Sequence, residues 1–253
     1  MCAGELIAVA SGKGGTGKTS VTALLSTALA LQGKRVLCID CDVGLRNLDI
    51  SLGLSDHCPL SFLDVLEGSY SLSQATVHPE FPGLHFLTAP MNRAPESIDA
   101  DRFADFLMEA RRGYDFVFLD APAGVEAGFR LAASRADRCI IVTGSGPASL
   151  RDARYTAQVL ELMGRTNVRL VVNRIQPKLL GSMKLTVDDM MDTAGLPLLG
   201  IIPEDPNVTL AATWGRPLLC YKPRCAAAKA GARIGGAADA RCRARGGAAG
   251  LQE

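Results

Sequence analysis

Ser11-Gly12-Lys13-Gly14-Gly15-Thr16-Gly17-Lys18-Thr19-Ser20 is a glycine-rich loop carrying two lysines where an ordinary phosphate loop carries one. It follows an apolar run at 6–10 that reads as a buried strand. It precedes apolar residues at Val21, Leu24, Leu25, Ala28 and Leu31, which is helical spacing. Glycines let backbone amides converge on phosphate oxygens, and the start of the following helix adds partial positive charge. Lys18 is placed to reach β- and γ-phosphates and the Thr19 hydroxyl to ligate Mg2+. Lys13 has no role in the single-chain version of this chemistry.

The spacing Gly12-x-Gly14-x-x-Gly17, with Asp40 further on, also satisfies a dinucleotide-binding fingerprint. Lys18-Thr19 decides against a nicotinamide or flavin site, which has no use for a lysine and a metal-binding hydroxyl after the last glycine.

The 253 residues fit one α/β domain, and 48% hydrophobic content supports a large core. Aromatic content of 5% argues against a stacking surface for single-stranded nucleic acid. The net charge of +1 hides an asymmetry: residues 223–253 hold six basic and two acidic side chains, and the rest of the chain holds 21 and 24. Neither a signal peptide nor a membrane span is evident, so a cytoplasmic protein is expected. The eight cysteines include Cys38-x-x-Cys41, but Cys38 lies in an apolar run and no second pair completes a zinc site. Buried structural thiols are expected, and the three histidines read as non-ligands.

Short apolar runs at 6–10, 35–39, 84–87, 116–119, 139–143, 169–172 and 198–202 alternate with amphipathic stretches, clearest at 98–111, 147–163 and 187–194. This alternation predicts an α/β fold, a mostly parallel, doubly wound sheet with helices on both faces, and the glycine loop points to the P-loop NTPase type. Asp40, Asp120, Asn173 and Pro203-Glu204-Asp205 each follow a predicted strand, as the glycine loop does. They therefore share the carboxyl edge of the sheet, where ligands bind in open α/β folds. An Asp that closes an apolar strand suits a Mg2+–nucleotide site, and glycines at 44 and 124 flank segments able to move with a γ-phosphate.

The doubled-lysine loop, Asp40-Cys41-Asp42-Val43-Gly44-Leu45-Arg46-Asn47-Leu48-Asp49, Asp120-Ala121-Pro122-Ala123-Gly124, Ser149-Leu150-Arg151-Asp152-Ala153, Val172-Asn173-Arg174 and Ile202-Pro203-Glu204-Asp205 together resemble the deviant Walker A ATPases. Within that ParA–MinD family the resemblance narrows to the MinD branch, which positions the division septum, and it runs from about residue 6 to 217. The resemblance implies a Mg2+-dependent ATPase that dimerises on ATP, binds the inner membrane surface, recruits a MinC-like division inhibitor and is stimulated by a MinE-like activator. By the same resemblance Lys13 reaches the partner protomer's phosphates, much as an arginine finger does in trans. Residues 12–20 hold the nucleotide, Lys18 and Thr19 binding phosphate and Mg2+. Asp42 positions the hydrolytic water, and Asp40 and Asp120 support the metal. Asn173 reads the adenine edge, Arg174 belongs to the nucleotide-binding set, Pro203, Glu204 and Asp205 line the base pocket, and Asp152 faces partner proteins.

From residue 223 the chain departs from the family. Eleven alanines and six glycines fill the segment, and Ile234 and Leu251 are its only large aliphatics. It lacks the apolar half of the amphipathic membrane helix expected there. The expected organisation is an ATPase domain over 1–222 and a disordered Ala/Gly/Arg-rich tail over 223–253 with little membrane affinity. A ParA-type partition ATPase is the nearest alternative, but it needs a basic patch for DNA that the acidic remainder does not suggest. A flagellar-number regulator of the same fold is a second alternative. A non-hydrolysing scaffold is disfavoured because Lys13, Lys18, Thr19, Asp42 and Asp120 are all present.

Overall fold

Apolar runs rich in Val, Ile and Leu become strands where both faces of a sheet are covered. The computed structural model describes residues 3–249 apart from 44, 58, 92 and 184. Gly44, Cys2 and Cys58 lie outside the described residues. Eight strands are found among them: β1 (Glu5–Ala10), β2 (Val36–Asp40), β3 (Thr76–Val77), β4 (Leu84–Leu87), β5 (Phe116–Asp120), β6 (Arg138–Thr143), β7 (Val168–Ile175) and β8 (Leu198–Pro203). They form one sheet in the order β3-β4-β2-β5-β1-β6-β7-β8. Every neighbouring pair is parallel except β3 with β4. β3 is two residues long, too short for an alternation pattern to reveal it.

The helices are α1 (Lys18–Leu31), α2 (Leu48–Leu52), α3 (Phe62–Leu66), α4 (Ala100–Gly113), α5 (Ala127–Ala133), α6 (Pro147–Leu162), α7 (Pro177–Met183), α8 (Val187–Ala194), α9 (Pro206–Thr213), α10 (Leu218–Tyr221) and α11 (Ala226–Ala249). Two apolar clusters sandwich the sheet. Leu6, Ala8 and Ala10 of β1 face one with α4, α5, α6 and α8; Ile7 and Val9 face the other with α1 and α11. The predicted helix at 98–111 starts later, at Ala100, because the Asp99 carboxylate accepts the backbone N–H groups of Asp101 and Arg102 and caps it there.

The tail corrects an expectation. Instead of a disordered segment from residue 223, the chain forms α11, which packs on α1 and β8. Ala227, Ala228, Ala230 and Ile234 are buried in the same core as α1, and Ala238 is buried further along the helix. Alanine is the best helix former, and here glycine serves close approach rather than flexibility. A Cβ on Gly231 would overlap the Leu24 side chain, and one on Gly235 would lie 3.3 Å from Ala28 Cβ. The Ile234 side chain sits over Gly200 of β8, where a Cβ would overlap it. The Asp205 carboxylate accepts the Ala227 N–H at 3.2 Å near the start of α11, and Lys34 pairs with Asp239 at 2.9 Å further along. Among the described residues, no helix is long and apolar enough to cross a membrane.

Gly231→Val is expected to push α11 off α1 at a cost of about 1–3 kcal/mol, lowering Tm by several degrees in scanning calorimetry. An unchanged Tm would show that α11 is not seated as described.

Candidate functional site

The loop between β1 and α1 is shaped for something other than protein. Gly15 and Gly17 adopt left-handed φ angles of 80° and 86°. A Cβ added to Gly14 or Gly15 would meet nothing within 4 Å, so these glycines leave open space rather than pack. Gly12 and Gly17 have the opposite reason: a Cβ on Gly12 would lie 2.7 Å from Asp152 Cβ of α6, and one on Gly17 would overlap the Asn173 amide. The Thr16 hydroxyl is buried within the loop without a hydrogen-bond partner.

Behind the loop stands a buried polar cluster. Lys18 Nζ lies 3.1 Å from Asp120 Oδ1, with the two side chains 6% and 1% exposed. Thr19 donates its hydroxyl to Asp120 Oδ2 at 2.8 Å, and Thr22 donates to Oδ1 at 2.7 Å. Asp120 closes β5 directly opposite Asp40 at the end of β2. Asp40 is equally buried, and its oxygens are taken up by the backbone N–H groups of Asp42 (2.9 Å), Asn47 and Leu48 (both 3.2 Å). Its place is therefore behind Asp42, Asn47 and Leu48, whose backbone it holds. Burial and the charge of Asp120 push its pKa up to about 7 against those amides. Burial raises Asp42 as well, opposed by Lys18; the residue is partly buried.

Lys13 is half exposed and pairs with Asp152 of its own α6 at 3.6 Å. An exposed pair of this kind is worth only about 0–1 kcal/mol and releases readily.

Beside the loop, a cavity of about 540 Å³ is lined by Gly17, Ser20, Asn173, Arg174, Pro203, Glu204 and Asp205, with Val21, Leu24 and Ile202 forming apolar wall. Asn173 donates its amide N–H to Thr16 O at 2.9 Å, tying β7 to the loop. Arg174 adopts a left-handed φ of 56° where the β7–β8 register shifts between Val172 and Ile175. Burial opposes ionisation of Asp205, but donors from Asn207, Ala227 and the Cys225 thiol prevail and lower its pKa to about 2. All the expected site residues thus lie at the carboxyl edge of the sheet. The sequence reading does not single out Thr22, Ser51 or Arg216, which join the cluster or the cavity wall; only the position of Thr22 one helical turn past Lys18 could have signalled it.

Cys38, Cys41 and Cys139 are buried and free, and burial pushes Cys38 and Cys139 up to about 12, far from thiolate reactivity. No group of side chains able to hold a metal through His, Cys, Asp and Glu alone exists among the described residues.

A raised Asp40 has a defined sign. The unfolded chain releases this proton near 3.8 and the folded chain near 7, so its contribution to stability is complete below 3.8 and is lost as pH rises to about 7. Chemical denaturation across that window is expected to show this falling component, and Asp40→Asn to remove it. An identical pH slope in the variant would refute the assignment.

Comparison with known proteins agrees with this geometry. The family profile of the CobQ/CobB/MinD/ParA nucleotide binding domain matches residues 7–218. The septum site-determining protein MinD of Synechocystis is 38% identical over 217 residues, covering 85% of this chain and 82% of that protein. The MinC:MinD cell division complex of Aquifex aeolicus includes a chain matching at a TM-score of 0.83 and 36% identity, covering 91% and 93% of the two chains. MinD of Pyrococcus horikoshii, solved with Mg-ADP, matches at 0.76 and 30%, covering 91% and 94%. The chain belongs to the MinD branch of the MinD/ParA family of nucleotide-binding proteins.

Proposed function

We propose that this chain hydrolyses ATP, dimerises when ATP is bound, and in that state controls division-septum placement by holding a MinC-like inhibitor until a MinE-like activator triggers hydrolysis. The observation that carries the reading is the pair of lysines in one loop. Lys18 is buried against Asp120, whereas Lys13 rests on a weak surface pair it can leave for a second protomer.

Mg2+ and nucleotide fit the residues present. Gly14 and Gly15 leave room for phosphates, and the Thr16 hydroxyl is an unpaired donor in the cradle. Thr19 and Asp120 form the hard-oxygen set suited to Mg2+, with Asp40 supporting the segment beside them. When bound, Mg2+ offsets charge on the phosphate oxygens. The chain's own residues do the remainder. Lys18 and the loop amides hold the β- and γ-phosphates, Asp42 orients the attacking water, and Lys13 of the opposing protomer stabilises the charge that develops. The apolar wall and the Asn173 amide receive the base, with Pro203, Glu204 and Asp205 closing the pocket.

Membrane attachment is the family property least supported by this sequence. Ile234, the one large aliphatic side chain among the described residues of 223–249, is 4% exposed and belongs to the core. It offers no area to a bilayer.

Lys13→Ala is expected to keep ADP binding while abolishing the ATP-dependent dimer and stimulated hydrolysis, a loss on the order of 10³-fold. Light scattering of Lys13→Ala with ATP reads the first effect, and a wild-type dimer there would defeat the proposal. Sedimentation with anionic vesicles and ATP is expected to leave the chain in the supernatant; strong pelleting would show an anchor that α11 does not explain.

A further inference from the structure

Thr22 lies on α1 one turn beyond Lys18, fully buried, and has no part in the loop motif. Its hydroxyl is 3.1 Å from Lys18 O and 2.7 Å from Asp120 Oδ1. A hydroxyl has one proton, and the shorter contact to a carboxylate takes it. Two other buried threonines that lie in helices show the plain alternative. Thr27 bonds only the carbonyls of Ala23 and Leu24, and Thr156 only that of Asp152, each within the preceding helical turn. Thr22 alone of these three reaches across to a strand and to a functional side chain.

We propose that Thr22 is a positioning residue of the nucleotide site, acting through Asp120; the inference rests on the nucleotide-binding reading above. Asp120 Oδ1 is shared by Lys18 and Thr22, and Oδ2 is held by Thr19. When phosphate enters the loop it draws the Lys18 ammonium toward itself, and Oδ1 loses its charged donor. The carboxylate is 1% exposed, so bulk water has no direct route to replace that donor. The Thr22 hydroxyl is the donor that does not move, because the interior of α1 fixes its backbone. It lets Lys18 leave without stranding a buried carboxylate, and it keeps Oδ2 aimed at Thr19. Thr22 thereby lowers the cost of transferring Lys18 from protein to phosphate, most of all when no metal is present to compensate Asp120.

The test compares Thr22→Val, which keeps the shape and removes the hydroxyl, with Thr22→Ser, which restores it, using the full chain. ADP binding measured by calorimetry in chelator is expected to weaken about 10-fold in Thr22→Val, equivalent to about 1.4 kcal/mol. With Mg2+ the loss is expected to shrink to roughly 3-fold or less, since a cation held by Thr19 and Asp120 would itself offset the carboxylate's charge. Thr22→Ser is expected to bind within about 2-fold of wild type under both conditions. A role confined to packing moves both conditions equally and is not rescued by serine. Wild-type affinity of Thr22→Val in chelator, or equal losses in the valine and serine variants, would overturn the inference. Should Thr22→Val fail to fold, Thr22→Ala against Thr22→Ser reads the same difference, and equal affinities of those two would overturn it. A wild-type chain that binds neither ADP nor ATP would instead defeat the nucleotide reading itself.

Discussion

Two buried carboxylates stand opposite one another on adjacent strands, Asp40 at the end of β2 and Asp120 at the end of β5, with one buried ammonium beside them. Such a pair cannot be ionised cheaply without partners, and the chain solves the two halves differently. Asp120 receives Lys18 and two threonine hydroxyls from α1, so the helix that presents the phosphate loop is bolted to the centre of the sheet. Asp40 receives backbone amides, so the segment leading to α2 is folded back over the same edge. The loop, the flanking segment and the base cavity all take their positions from this arrangement.

The loop, the strands and the edge at which the polar residues gather were legible because each depends on local pattern. Glycine spacing, apolar runs and the residue that closes a strand are written in consecutive positions. What Asp40 binds was not legible. Two of its three amide partners lie seven and eight residues on, and their approach depends on how the chain turns ahead of α2, with Arg46 at a left-handed φ of 46°. Asn173 shows the same limit. Its position after β7 marks it as a site residue, yet its bond to Thr16 O requires two strands and a loop in place. Thr22 was hidden differently, since a buried threonine in a helix most often bonds its own backbone.

The tail was misread for a physical reason. Alanine and glycine contribute little apolar area, so composition alone predicts a segment unable to offset the entropy of ordering. The structure shows area is not the only measure. Gly231 and Gly235, having no side chains, let the α11 backbone come close to Leu24 and Ala28 of α1, and Ile234 fills the space above Gly200. Dispersion contacts from close backbone approach, with the Lys34–Asp239 pair, stand in for bulk. The same packing uses up the side chain that a membrane-binding helix would have presented.

With the sheet on one side and α11 on another, residues 21–29 of α1 are all buried. A helix enclosed all round lacks the solvent-facing stripe on which proteins ordinarily accumulate harmless substitutions. Sequence drift in α1 is therefore confined to its last positions, such as Leu31, which is 61% exposed. Selection on the shape of the carboxyl-terminal helix reaches through it to the residues beneath the phosphate loop, so the two segments can diverge only in concert.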